Sequence, residues 1–286
     1  MRINSKVLMN LKDRRLISLI IIGEKLNGAI PSVGKAIAAR DEDFIRDLVR
    51  RQVAVGVDYL DVCAGTSADE ELDALSWLID MVQDETDTKL CVDSPNAKII
   101  EAVLPRVKQC GLINSVSGEG DKCEVIYPLL KDNDWCVVAL TCDNDGIPET
   151  AQKKVDIAEA LIQKAAEYDI EPDRIFIDPL VLSLSAVNDC MLQFMESVQG
   201  IKKRYPTVKT VSGLSNISYG MPYRKIVNMN FLTLALSAGM DSAIIDPENR
   251  DMIATMYAVE ALLNQDKHCR QYNKAFRQGK FGPAKS

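Results

Sequence analysis

Histidine is almost missing from this 286-residue chain: there is one, His268, in a polar C-terminal stretch. That excludes histidine-based catalytic triads and HExxH metal sites, which place imidazoles beside a nucleophile or pair them on a helix. Cysteine is present but unpaired in pattern. The eight residues, at 63, 91, 110, 123, 136, 142, 190 and 269, form no CxxC motif. Zinc-type spacing is therefore absent and no metal is expected. Several thiols lie in apolar runs of a long chain, which predicts reduced, buried cysteines in a cytoplasmic protein instead of a disulfide framework. No apolar run reaches the roughly 20 residues of a membrane helix, so no membrane contact is expected. The most apolar early stretch, Leu16–Gly23, contains Ser18 and follows Lys12, Asp13, Arg14 and Arg15. It lacks the unbroken core of a secretory leader. Basic excess is missing too: 34 Lys+Arg stand against 41 Asp+Glu, net −7. No nucleic-acid partner is expected, because such binding needs a basic footprint.

What is present is the balance of a soluble globule, 47% apolar and 26% charged. Short apolar runs alternate with longer segments of helical period. Leu16–Gly23, Tyr59–Cys63, Leu90–Val92, Leu112–Asn114, Cys136–Cys142, Ile175–Asp178, Thr210–Leu214 and Ser242–Asp246 read as buried strands. Asp41, Ser94 followed by Pro95, and Glu149–Thr150 read as helix starts. Later helices are expected to bury Leu192/Met195/Val198, then Tyr223/Ile226/Val227/Leu234, then Met252/Met256/Val259/Leu263. Strand-then-helix units in this number imply a parallel sheet closed into a (β/α)8 TIM barrel, one α/β domain. The rival, a doubly wound open sheet, would show GxGxxG after its first strand. This chain has Gly23-Glu24-Lys25-Leu26-Asn27-Gly28 there. The barrel is assigned to residues 1–263, leaving 264–286 as a polar, basic tail. That tail is expected to be solvated or frayed, with a strap over a neighbouring subunit as the lesser reading.

Barrel chemistry sits at the C-terminal ends of the strands. In this chain those ends carry Glu24 and Asn27, Asp61 and Cys63, Asp93, Asn114 and Ser115, Asp178, Ser215 and Asn216, and Asp246. Carboxylates and carboxamides dominate, with few cations. Such a rim is a poor phosphate cradle. It suits a flat neutral heterocycle with a fan of N–H donors, because an ionised carboxylate only accepts while a carboxamide does both. A pterin is one ligand with that edge. Each residue alone also has a local reading: Asp93, Asp61 and Asp178 as caps or loop acceptors, and Gly213–Asn216 as a turn.

In order, Gly23-Glu24-Lys25-Leu26-Asn27, Leu60-Asp61-Val62, Val92-Asp93-Ser94, Ile113-Asn114-Ser115, Ile177-Asp178-Pro179-Leu180 and Ser212-Gly213-Leu214-Ser215-Asn216-Ile217-Ser218 resemble the pterin-binding methyltransferases. The likeness is strongest to the methyltetrahydrofolate:corrinoid-protein methyltransferases, relatives of the folate domain of cobalamin-dependent methionine synthase. It runs from Leu19 to Leu263. The resemblance implies pterin contacts from Asp93, Asn114 and Asp178, with Gly213 and Ser215 shaping the pocket. It places Asn216 beside the N5 atom that carries the methyl group, as the catalytic residue. Cys63 departs from the family, where many members carry asparagine, and Tyr219 from those that carry glutamine. Both departures resemble enzymes serving methylamine or glycine-betaine demethylation.

The implied activity moves a methyl group between tetrahydrofolate (or 5-methyltetrahydrofolate) and cobalt. One histidine in a tail supplies no Asp-x-His-x-x-Gly signature, so the corrinoid is expected on a separate corrinoid-binding protein. A homodimer is implied as well. Three other readings compete. A non-catalytic pterin carrier would not need Asn216 at N5, and a barrel enzyme for another amide-edged heterocycle would lack folate affinity. A dihydropteroate-synthase-like enzyme would show Thr-Pro-Asp-Ser-Phe after strand one and Ser-Arg-Lys after strand seven, where this chain has Asn27-Gly28-Ala29-Ile30-Pro31 and Ser212-Gly213-Leu214-Ser215.

Overall fold

The computed structural model describes residues 19–283. Eight parallel strands run in one sheet: β1 (Ile20–Asn27), β2 (Tyr59–Cys63), β3 (Lys89–Asp93), β4 (Leu112–Gly118), β5 (Cys136–Asp143), β6 (Ile175–Asp178), β7 (Lys209–Thr210) and β8 (Ser242–Ile245). From β1 to β7 each strand pairs with the next in sequence, and β8 pairs with β1. The helices are α1 (Pro31–Ala39), α2 (Glu42–Val55), α3 (Ala68–Glu85), α4 (Ala97–Val103), α5 (Lys122–Ile126), α6 (Ala151–Ala166), α7 (Cys190–Arg204), α8 (Arg224–Ala238), α9 (Arg250–Leu262) and α10 (Arg270–Arg277). This is the (β/α)8 barrel expected from the strand–helix rhythm. Among the described residues no helix is long and apolar enough to cross a membrane.

The strands alternate, so successive side chains point into the barrel and out to the helices. Ile22, Cys91, Leu112, Val138, Phe176 and Val211 pack together as a plug along the axis. Leu60, Val62, Val92, Ile113, Val137 and Ile177, one position out of step, join the surrounding helices. Burying each such side chain contributes roughly 1.5–3 kcal/mol.

The seam between β7 and β8 closes sparingly. The Asp241 and Ile244 amides donate to the carbonyls of Thr210 and Ser212 at 3.2 and 3.0 Å. The Asp241 carboxylate reinforces this, accepting from the Thr210 amide (2.8 Å), the Thr210 hydroxyl (3.1 Å) and Lys202 Nζ (2.9 Å).

Several local expectations need correction. Residues 16–18 of the expected first strand lie outside the described residues, and β1 continues to Asn27. The seventh strand is two residues long: beyond Thr210 the chain keeps the Val211 amide on the Ile177 carbonyl (2.9 Å) and the bridge from Gly213 to Ile244, and then enters the turn at Leu214. Ser94 does not cap the helix after β3. Its hydroxyl donates to Glu71, and Asn96 caps α4 by accepting from the Lys98 amide. On α8 the buried side chains are Phe231, Leu232, Ala235 and Leu236, whereas Tyr223, Ile226 and Leu234 are exposed. That helix is apolar almost all round, so its period singles out no face. Leu192 on α7 is likewise exposed.

The described part of the C-terminal tail is not frayed. α10 docks against α9, Phe281 is buried against Tyr257, Tyr272 and Phe276, and Lys280 Nζ donates to the Val55 carbonyl at 3.0 Å. The basic heads stay wet while aromatic rings and aliphatic stems pack.

Asp241→Ala removes an acceptor shared by three donors at the seam, and is expected to lower stability by about 2–4 kcal/mol. Urea unfolding checks this, and an unchanged midpoint would show that the seam does not depend on it.

Candidate active site

Period-2 alternation places most of the strand-end candidates two residues beyond a member of the plug. Glu24 is two residues beyond Ile22, Asp93 beyond Cys91, Asn114 beyond Leu112 and Asp178 beyond Phe176. Gly213 is two beyond Val211, and Asp61 two beyond Tyr59, which packs on the plug. Cys63, Asp93 and Asn114 stand side by side in register across β2, β3 and β4. A register shift follows Asn114, where the Asn114–Ser115 peptide is cis. Another lies between Gly23 and Leu26, around Glu24 and Lys25. Irregularities of this kind re-aim side chains at barrel rims.

The structure brings these residues together in two groups. The first is acidic. Asp61, 2% exposed, lies beneath the Asn114 amide, whose Nδ2 is 3.5 Å from its Oδ1. Its other neighbours are the Cys91 thiol and the carboxyls of Asp93 and Glu24. Burial and then Asp93 push the Asp61 carboxyl well above the carboxylate range. Asp93 is raised by burial and by Glu71, while a hydrogen bond from the Cys63 thiol works the other way. Burial also lifts Glu24 to about 7, helped by Asp246 and opposed by Lys25 and Arg224. Desolvation disfavours each charge, and like charges add to it.

The second group surrounds Asp178. Its Oδ1 accepts from the Leu180 amide at 2.8 Å, and Gly213 donates a second backbone hydrogen bond. Burial nevertheless raises it to about 7. Gly213 leads into the 3₁₀ turn Leu214–Ser218. A side chain there would meet Asn216 Nδ2 at 3.6 Å, so Asn216 lies over the glycine. Asn216 is exposed at the open end. Arg224 braces this turn, donating to the Ser215 carbonyl (2.6 Å) and the Ser218 hydroxyl (2.9 Å). Its charge also reaches Glu24, which links the two groups.

Not every candidate offers a free group. Asn27 Oδ1 accepts from the Ala29 amide at 2.9 Å and shapes its own turn. Ser215 contributes its backbone carbonyl, and Asp246 is paired with Lys25 at 2.9 Å. Cations are also more numerous than the strand ends suggest. Lys25 lies in the β1 irregularity, Arg224 comes from α8, and Lys154, 2% exposed, reaches in from α6. Lys154 was legible: it is four residues from Ala158 on the buried stripe of α6. Among the described residues no group of three or more His, Cys, Asp or Glu side chains is disposed to hold a metal ion.

A barrel whose mouth is lined with buried acceptors and amides defines a class of protein that grips a flat, donor-rich ring. Comparison with known proteins gives the class its family. Residues 24–246 match the family model described as "Pterin binding enzyme". The chain is 51% identical over 270 residues to a methylcorrinoid:tetrahydrofolate methyltransferase of Eubacterium limosum, covering 94% of this chain and 100% of that protein. It is 32% identical over 242 residues to a methionine synthase of Mycobacterium tuberculosis, covering 80% of this chain and 20% of the larger protein. Among solved structures it resembles a dihydropteroate synthase of Xanthomonas albilineans in complex with 7,8-dihydropteroate, with TM-score 0.63, 17% identity, and 87% and 94% of the two chains covered. That likeness concerns the fold. The chain belongs to the pterin-binding enzyme family.

The buried acids give a signed prediction. Asp61 titrates higher folded than unfolded, so the folded chain holds more protons, and wild-type stability falls as pH rises from about 4 towards the folded value. Asp61→Asn lacks this loss. Its stability relative to wild type is expected to improve by roughly 1 kcal/mol or more between pH 5 and 8. Denaturant unfolding at both pH values decides, and a difference independent of pH would remove the buried acid from the account.

Proposed function

We propose that this chain is a methyltransferase that moves a methyl group between N5 of tetrahydrofolate and the cobalt of a corrinoid carried by another protein. The observation that carries this reading is the 51% identity along the whole length of the Eubacterium limosum enzyme. The site supplies its chemistry. A reduced pterin presents ring N–H and exocyclic amino donors, and Asp93 and Asp178 are acceptors already stripped of water, with Asn114 between donor and acceptor roles. A ligand whose donors satisfy them offsets the desolvation cost of these buried acceptors.

The methyl transfer itself needs little from the protein beyond position and one hydrogen bond. The electron pair of cobalt(I) forms the new bond to the methyl carbon. The C–N bond breaks with its pair left on N5, which takes a proton from solvent. An amine is a poor leaving group, so a hydrogen bond from Asn216 that strengthens as charge develops at N5 lowers the barrier. The reverse reaction uses the same contacts. A finer reading, service in methylamine or glycine-betaine demethylation, rests on Cys63 and Tyr219. A homodimer belongs to the same proposal; sedimentation giving a species of 31.7 kDa would remove it.

The direct test mixes the protein with methyltetrahydrofolate and cob(I)alamin and follows loss of the cobalt(I) spectrum. No acceleration over the protein-free mixture would sink the reading. Asn216→Ala is expected to slow transfer about 10²–10³-fold while changing folate affinity far less; equal losses would deny its role at N5. Burial pushes Asp178 up to about 7, and its ionised form is the stronger acceptor, with no O–H to oppose a ligand donor. The Kd for methyltetrahydrofolate is therefore expected to fall as pH rises from 6 to 8. Asp178→Ala should weaken binding by about 1–3 kcal/mol at pH 8 and flatten that profile.

A further inference from the structure

Lys154 is a buried lysine that the transfer chemistry leaves without a task. It lies on α6, 2% exposed, and its Nζ donates to the Leu180 carbonyl at 2.8 Å. An ammonium is costly to bury unless it is hydrogen-bonded and faces a counter-charge. The counter-charge is Asp178. The two are joined through a single residue. Leu180 accepts from Lys154 at its carbonyl and donates from its amide to Asp178 Oδ1, also at 2.8 Å. To do both it adopts the left-handed conformation, with φ of 50°, which a leucine avoids unless its surroundings fix it.

The other groups packed around this pair bring no formal charge. The Thr141 hydroxyl from β5 donates to the Asp178 carbonyl, Gly213 after β7 gives its amide to the carboxyl, and the Cys190 thiol at the start of α7 faces Lys154. Lys154 thus reaches Asp178 through Leu180, whereas Gly213 and Asn216 approach it from the turn after β7.

We propose that Lys154 is a positioning residue for the pterin grip: it holds the Asp178-Pro179-Leu180 turn through the Leu180 carbonyl and supplies the counter-charge that makes the Asp178 carboxylate easier to form. The ligand half of this statement rests on the folate reading above; the linkage between the two side chains does not. A lysine that merely filled space would be replaceable by methionine without altering how Asp178 titrates. A lysine that stabilises the carboxylate would not, because removing a nearby cation makes a buried carboxylate harder to form.

The test uses the whole protein without ligand first. Carboxyl-¹³C aspartate NMR follows Asp178 in wild type, Lys154→Met and Lys154→Arg. The midpoint is expected near 7 in wild type, higher by about one unit or more in Lys154→Met, and restored by Lys154→Arg. Methyltetrahydrofolate affinity measured at pH 7.5 should then fall about threefold in the methionine variant, because a one-unit rise cuts the ionised fraction about threefold at that pH, and recover as pH is raised. An Asp178 midpoint that stays put in Lys154→Met overturns the proposal. Should that variant not fold, ¹⁵Nζ titration of Lys154 in Asp178→Asn decides: its midpoint falls if the two charges are linked, and an unmoved midpoint overturns the proposal. Wild-type protein with no folate affinity would instead overturn the methyltransferase reading, and the carboxyl titration would still judge Lys154.

Discussion

A carboxyl group taken out of water resists ionisation, and the mouth of this barrel repeats that situation in adjoining strands. Burial raises Asp61, Asp93 and Glu24, and each also faces another carboxylate: Asp61 faces Asp93 and Glu24, Asp93 faces Glu71, and Glu24 faces Asp246. The fold fixes that crowding. Below it the plug of Ile22, Cys91, Leu112, Val138, Phe176 and Val211 leaves no room to withdraw, and behind it the outer faces are committed to helices. What tempers the cost is a set of uncharged donors: the thiols of Cys63 and Cys91, the Asn114 amide, and the backbone N–H groups of Leu180 and Gly213. The apolar layers therefore provide the stability that the mouth gives up.

The same alternation explains which parts could be read from the sequence. A strand end is legible when an apolar residue two positions earlier marks the inward face, as Ile22 marks Glu24 and Phe176 marks Asp178. The alternation is lost where the chain leaves the sheet. β7 ends at Thr210, and its continuation over the mouth resembles a longer strand only because Val211 and Leu214 are apolar. Legibility is lost again on α8, where Ile226 and Leu234 are as apolar as the buried Leu232 and Leu236. Charge misleads in the tail. Lys274, Arg277 and Lys280 suggest solvent, yet Ala275 and Phe281, each next to one of them in sequence, are buried. Lys154 was visible by spacing but looked like an ordinary charged residue, because its partner lies 24 positions away in a turn.

Arg224 shows how one fold holds different chemistries. A cation beside the βα loop after β7 would be well placed to meet a ligand's anionic group. Here it is occupied, donating to Ser215 and Ser218 within its own loop while its charge reaches Glu24. The loop gains rigidity, and the mouth gains no free anion site from this arginine. Barrels of the same outline, such as dihydropteroate synthase at 17% identity, share the architecture without that commitment following from the fold.

Rigidity beneath and openness above are also what an acceptor delivered by a second protein requires. Asn216 is exposed, yet its loop is braced by Arg224 from one side and seated on Gly213 from the other, with Gly213 tied to Asp178. A carboxamide deep among the acids would be sheltered but unreachable by a cobalt atom carried on another chain. One on an unbraced loop would be reachable, but it would have to be ordered at the moment of transfer, and that cost would enter the barrier. On the methyltransferase reading, the 3₁₀ turn resolves the conflict: the ring is gripped by groups held from below, and the one residue acting on N5 stands at the edge where the two proteins meet.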